Sequence, residues 1–311
     1  MIEVQNITKR FGPITAVDGV SFEVQKGEVV GFLGPNGAGK TTTMRILTGF
    51  IPATAGTAKL AGFDVFENSL EVRRRLGYLP ESAPLYLDMG VVEFLDFVAS
   101  VRGIPVAKRK ASIERMIEVC GLSAVLKQEI GELSRGYRQR VGMAQAMIHD
   151  PEILIMDEPT SGLDPNQIIG IRQLIKELGR EKTVILSTHI LSEVEATCSR
   201  VIIIDRGKIV ADGSLEEVTK RGKVGKVHHL RVRGERAAWE NKLKGLAGMK
   251  SFAWKEEEGG LNRYEVFSEG DRSLGEELFR LAADSGMSLA ELYQEKTTLE
   301  NVFTQLTRKE S

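Results

Sequence analysis

The sequence predicts an α/β fold built on a parallel sheet, with antiparallel strands at its start and a helical insertion, followed by a small α+β domain of ferredoxin-like βαββαβ order. Three observations predict it. Four aliphatic runs, at Val29–Leu33, 153–156, 183–187 and 201–204, are apolar almost throughout, as strands covered on both faces must be. Helical patterns separate them, which parallel βα units require. After Asp212-Gly213 such runs end and shorter alternating segments take over.

Taken in order, Ile2-Glu3-Val4 and 20–24 alternate like half-buried strands, and Lys26-Gly27-Glu28 turns the chain into Val29–Leu33. Between about 82 and 132 the pattern is helical (91–102, then 107–120, joined by Gly103-Ile104-Pro105), an insertion into the core. Lys220, Arg221, Lys223, Lys226, Arg231, Arg233 and Arg236 face only Glu235 among acids. This shift, read as a solvated hinge and strand face, divides the chain into a domain of residues 1–219 and an accessory domain of residues 220–311.

Past the hinge, Val227–Arg233 alternates like a strand and 236–246 reads as a helix. Segments 252–255 and 264–267 flank the turn Glu258-Gly259-Gly260, a hairpin signal. Helix 274–283 and strand 287–293 complete the βαββαβ order. A final helix sets Leu299, Val302, Phe303 and Leu306 on one face, a packing stripe. His228 and His229 adjoin on a strand and point to opposite faces, so one ion cannot use both.

Composition narrows the classes. At 42% hydrophobic and 27% charged, 311 residues form one large or two modest globular domains, not a collagen-like, disordered or disulfide-stapled chain. Lys plus Arg (42) nearly balances Asp plus Glu (43), which excludes bulk attraction to nucleic acid or acidic membrane. Cys120 and Cys198 have neither a CxxC partner nor a histidine cluster, as expected of buried thiols in a reducing compartment. The start lacks a signal-peptide pattern, and no apolar run approaches the ~18 residues of a membrane span. A cytoplasmic protein is expected, any membrane role coming through a partner.

The chemistry begins at Gly34-Pro35-Asn36-Gly37-Ala38-Gly39-Lys40-Thr41, a GxxxxGK[ST] phosphate loop between a strand and a helical stretch. Its glycines let backbone N–H groups converge on phosphate oxygens, Lys40 reaches the β and γ phosphates, and the Thr41 hydroxyl ligates Mg²⁺. Gly34, Asn36, Gly37, Gly39 and Thr42 complete the nucleotide-binding positions. Asp157-Glu158 closes the run 153–156, putting two carboxylates where open α/β sheets bind ligands. Asp157 suits the metal, and Glu158 suits the attacking water.

The phosphate loop is followed by Leu133-Ser134-Arg135-Gly136-Tyr137, by Asp157-Glu158-Pro159-Thr160-Ser161-Gly162-Leu163-Asp164 and by Ser187-Thr188-His189. In order and spacing these motifs resemble the ATP-binding subunit of an ABC transporter, a P-loop NTPase, over residues 1–213. Leu133 to Arg140, Asp164-Pro165-Asn166-Gln167 and the C-terminal extension look most like ATPases serving separate export permeases, including those associated with gliding motility.

The resemblance implies two copies head to tail, each ATP held between one phosphate loop and the other copy's signature. Ser134 and Gly136 then meet the γ-phosphate in trans, His189 bonds it, Asp164 lies in the loop that communicates between sites, and Phe11 stacks on adenine. Three positions depart from the family pattern. Arg135 and Tyr137 replace glycine and glutamine in the signature, and Glu81 stands where a glutamine usually senses Mg²⁺ and water. Glu81 keeps an oxygen ligand, so metal contact and a part in catalysis remain its expected role. An ATP-hydrolysing homodimer that drives a separate permease at the cytoplasmic face of the inner membrane is the leading reading, without nucleic acid. A soluble ABC-type ATPase acting on nucleic acid or the ribosome is the alternative.

Overall fold

In the computed structural model, the described residues are 1–221, 226–270, 272–295 and 298–307. They form two compact units, one spanning Met1–Leu215 with Leu306 and Thr307, the other Glu216–Gln305. The sequence reading placed the division four residues later, at the start of the basic stretch. Part of that stretch, residues 222–225, lies outside the described residues.

The first unit opens on two long strands, β1 (Ile2–Phe11) and β2 (Ile14–Val24), followed by the buried β3 (Val29–Leu33) and helix α1 (Lys40–Leu47). Next come β4 (Ala55–Leu60), β5 (Phe63–Asp64), α2 (Ser69–Arg75) and β6 (Leu76–Leu79), then the insertion helices α3 (Val91–Val101) and α4 (Val106–Cys120) and helix α5 (Arg135–Met147). Strand β7 (Ile153–Asp157), α6 (Pro165–Leu178), β8 (Thr183–Thr188), α7 (Leu191–Thr197), β9 (Arg200–Asp205) and β10 (Lys208–Ser214) complete it, and α8 (Leu215–Arg221) follows.

A four-stranded sheet runs β2-β1-β4-β5, with antiparallel neighbours. A six-stranded sheet runs β10-β9-β3-β8-β7-β6, parallel except for the β9–β10 edge. Strands β3, β8, β7 and β9 are the four aliphatic runs, and their side chains are buried on both faces. One core links the two sheets, with Phe22 of β2 against Phe32 of β3 at 5.6 Å between rings. Strands β4, β5, β6 and β10 were not foreseen. They are short or interrupted by glycine, so their apolar positions are too few to establish a period of two.

In the second unit, β11 (Val227–Arg233), α9 (Arg236–Leu243), β12 (Met249–Glu258), β13 (Leu261–Ser268), α10 (Gly275–Asp284) and β14 (Ser288–Gln294) give βαββαβ, with sheet order β12-β13-β11-β14 and antiparallel neighbours. Leu230, Val232, Tyr264 and Val266 face Trp239, Leu243 and Leu278 of its two helices. His228 is buried, its Nε2 accepting from Leu274 N, while His229 stacks on Tyr293 and meets Glu295 at 3.0 Å. The last helix, α11 (Leu299–Thr307), buries Leu299 and Val302. Among the described residues, no helix is long and apolar enough to cross a membrane.

Candidate functional site

β3 delivers the chain into a tight loop that ends at α1. At its last turn Gly39 has φ 106°, and a Cβ there would stand 2.5 Å from the Ala16 carbonyl, so both backbone shape and space demand glycine. Lys40 folds back over the loop it leaves. Its Nζ donates to the carbonyls of Gly34 at 2.8 Å and Pro35 at 3.2 Å, and lies 3.3 Å from Oε1 of Glu158.

β7 carries Asp157 and Glu158 to the same end of the sheet. Glu158 takes a left-handed φ of 48°, held by its N–H donating to the Ser187 carbonyl at 3.0 Å. A non-glycine residue in this region stores strain of about 1–3 kcal/mol, a signature of sites where aim matters more than stability. Glu158 shares its two oxygens: Oε1 faces Lys40, and Oε2 stands 2.9 Å from Nδ1 of His189, just past β8. A carboxylate only accepts, so this contact places the ring proton on Nδ1 when Glu158 is ionised.

Asp157 is 1% exposed and accepts a short hydrogen bond from the Ser187 hydroxyl. Burial pushes its carboxyl above the ordinary aspartate value, and the charges of Glu158 and Glu81 add to the rise, while hydrogen bonds from Ser187 and Thr41 oppose it. Glu81, beyond β6, accepts from the Ser161 hydroxyl at 3.4 Å.

A polar cleft of about 310 Å³ gathers these groups. Asn36, Gly37, Gly39, Lys40, Thr41 and Thr42 line it together with Glu81, Glu158 and His189. Gly34 supports Lys40 from behind, and Asp157 is linked to Thr41 by a hydrogen bond. The other four predicted residues do not line this cleft. Phe11, half exposed at the end of β1, has the Lys9 ammonium 5.1 Å from its ring centre. Ser134 caps α5 by accepting from Tyr137 N at 3.4 Å, Gly136 lies buried in its first turn, and Asp164 caps α6 by accepting from Gln167 N at 2.9 Å.

Sequence reasoning missed Ala16 and Ser161, which line the cleft, and Ser187, which restrains Asp157. It also missed Glu193 of α7, 1% exposed, which accepts from the hydroxyls of Thr160 and Thr188 and so ties the turn after Glu158 to the end of β8. Nothing in Leu191-Ser192-Glu193 distinguishes that carboxylate from a surface one. A second groove of about 980 Å³ lies between the sheet and the insertion, where Phe50, Tyr86, Phe94, Phe97 and Val101 offer aromatic and aliphatic walls.

Comparison with known proteins finds similarity to one family. Residues 17–161 match the family described as ABC transporter. The uncharacterized ABC transporter ATP-binding protein YxlF of Bacillus subtilis is 34% identical over 303 residues, 97% of this chain and 98% of that protein. The bacitracin transport ATP-binding protein BcrA of Bacillus licheniformis is 39% identical over 72% of each chain. A solved ATP-binding subunit of an ABC transporter superposes with a TM-score of 0.65 at 28% identity, covering 71% of this chain and 92% of that one.

Proposed function

This chain belongs to the ABC transporter ATP-binding proteins and is an ATP hydrolase; from that premise we propose that it works as a head-to-tail homodimer powering a separate membrane permease, in the export direction. One observation carries the reading. Lys40, Glu158 and His189 meet in one cleft, while Ser134 and Gly136 of the signature turn do not line it. A second copy is the way to bring that turn to a phosphate held by the first.

The chemistry follows from the contacts. Phosphate oxygens entering the cleft compete with Glu158 for Lys40, and the freed Oε1 then accepts the proton of the water attacking the γ-phosphorus. His189, through its Nδ1 proton, keeps the Glu158 carboxylate aimed and presents its other ring nitrogen outward. Thr41, Asp157 and Glu81 are hard oxygen donors, and the mutual repulsion of Asp157 and Glu81 is what a divalent cation relieves; they would hold Mg²⁺. When bound, that ion neutralises charge on the phosphates. Phe11 would stack on the adenine and Asp164 would face the second copy.

The apolar groove suits a permease segment, since exposed Phe50, Tyr86 and Phe97 are costly to leave in water. Such a partner places the chain at the cytoplasmic face of the inner membrane. The sequence similarity to a bacitracin transport subunit supports a transport role. The second unit has no phosphate loop, and is read as an accessory or regulatory module.

The test is assembly. Full-length chain carrying Glu158→Gln, sedimented with and without ATP and Mg²⁺, should double in mass only with both present. A monomer at saturating nucleotide overturns the dimer.

A further inference from the structure

Helix α5, which opens at the signature turn, is fastened to the turn that follows Glu158 and to α6 by three contacts in which a side chain fills the space a glycine leaves. A Cβ on Gly162 would collide with the guanidinium of Arg135. A Cβ on Gly136 would stand 2.5 Å from the Gln167 amide carbon, and one on Gly170 would stand 2.5 Å from Nη2 of Arg140. Arg135, Gly136 and Arg140 belong to α5; Gly162 lies in the 159–162 turn, and Gln167 and Gly170 lie in α6. The seam joins the helix that begins the signature to the segment that leaves the catalytic strand β7.

Within this seam Arg135 is the anomalous member. It stands at the first position of α5, where the helix dipole is positive and a cation is disfavoured. No carboxylate among the described residues pairs with it, whereas Arg140 donates from Nη1 to the Cys120 carbonyl at 2.9 Å. Its guanidinium plane rests on the Cα face of Gly162, only four residues beyond Glu158. That face exists because Gly162, at φ 68°, carries no side chain.

From this geometry we infer that Arg135 is a positioning residue for hydrolysis: its guanidinium packs on Gly162 and holds the signature turn and the 159–162 turn as one unit. It acts on the reacting water through that turn. The same turn is held at two further points: Ser161 bonds Glu81 of the cleft at 3.4 Å, and Thr160 bonds the buried Glu193, which also holds Thr188 beside His189, so a shift at Gly162 reaches the groups around the cleft. A planar fork is suited to lie flat on a Cα, and a lysine ammonium is not. The inference rests on the reading that the signature turn meets ATP on a second copy.

The test uses the full-length chain and steady-state ATP hydrolysis. Arg135→Ala should lower kcat roughly 5- to 20-fold, with KM for ATP changed less than about twofold. Arg135→Lys should not restore it, because charge alone does not fill the contact. Gly162→Ala, which displaces the guanidinium from the other side, should give a similar fall, and the double variant should be no slower than the slower single one. Melting temperature and the affinity of the monomer for a fluorescent ATP analogue check that each variant is folded.

Turnover of Arg135→Ala within twofold of wild type overturns the inference. So does full rescue by lysine, the result expected if the charge acts directly on the γ-phosphate, and so do falls that multiply in the double variant. Ser134→Arg separates the two readings. If it hydrolyses ATP normally the trans signature itself fails, and if it is dead while Arg135→Ala and Gly162→Ala are active only the seam fails.

Discussion

Lys40 Nζ and Glu158 Oε1 lie 3.3 Å apart, and both side chains are almost wholly buried, at 6% and 8% exposed. The cation of the phosphate loop and the carboxylate after β7 thus neutralise each other. Removing one partner of a buried pair typically costs about 3–5 kcal/mol, because the other is left charged and unsolvated.

Lys40→Ala should therefore do two things at once. ATP affinity, measured by titration, should fall by at least about tenfold, a loss of about 1.4 kcal/mol or more. The nucleotide-free chain should also melt lower, since Glu158 loses its cation. Unchanged affinity would show that Lys40 does not meet phosphate.

Glu158→Gln keeps the shape of the side chain and an oxygen for Lys40, but that oxygen no longer takes a proton at neutral pH. Turnover should drop by roughly 10²-fold or more, the scale of a lost general base, with ATP still bound. Near-normal hydrolysis would remove Glu158 from the chemistry.

Ser134→Arg puts bulk and charge at the cap of α5, where Ser134 now accepts from Tyr137 N. Hydrolysis should be abolished while the monomer still binds ATP. Mixed with Lys40→Ala protein, it should restore at most one composite site per heterodimer. Wild-type turnover in Ser134→Arg alone would mean that the signature does not work in trans.

Asp157 gives a pH dependence whose sign can be worked out. Burial raises its carboxyl pKa in the folded chain above the unfolded value, so the folded state holds this proton more tightly. The group therefore opposes folding above its folded pKa, and the penalty fades as pH falls through that value. Asp157→Asn should raise the melting temperature of metal- and nucleotide-free protein near neutral pH, the gain shrinking toward acid, while hydrolysis is lost. A variant that melts lower by the same margin at every pH would assign the effect to lost hydrogen bonds.

Trp239 fills the second unit's core between its helices and sheet, at 1% exposed. Trp239→Ala should cost that unit about 3–5 kcal/mol. In calorimetry one transition should move down while ATP affinity, measured below it, stays within about twofold. Equal loss of ATP binding would contradict the division of the chain at Leu215.

Where the sequence was informative, periodicity and motif spacing were enough. The aliphatic runs of β3, β7, β8 and β9 could not be stable as exposed surface, so their burial in a two-sided sheet followed from composition alone. The loop 34–41 specified its own turn, because a Cβ on Gly34 or Gly39 would strike backbone and Gly37, at φ 80°, takes the left-handed conformation that favours glycine. In the second unit, alternation and the Gly259-Gly260 turn sufficed for the hairpin of β12 and β13.

What the sequence by itself determined was the α/β class, the order of the longer, strongly periodic elements, and which residue types could handle a phosphate. Only the tertiary structure decided that Glu158 divides its oxygens between Lys40 and His189, residues 118 positions before and 31 positions after it in the chain. It likewise set the pairing of Asp157 with Ser187, the burial of Glu193 beneath Thr160, and the packing of Arg135 on Gly162. The physical reason is range. Backbone propensity and hydrophobic period are written over neighbouring residues, whereas hydrogen bonds and ion pairs between distant strand ends exist only once the sheet has brought those ends together.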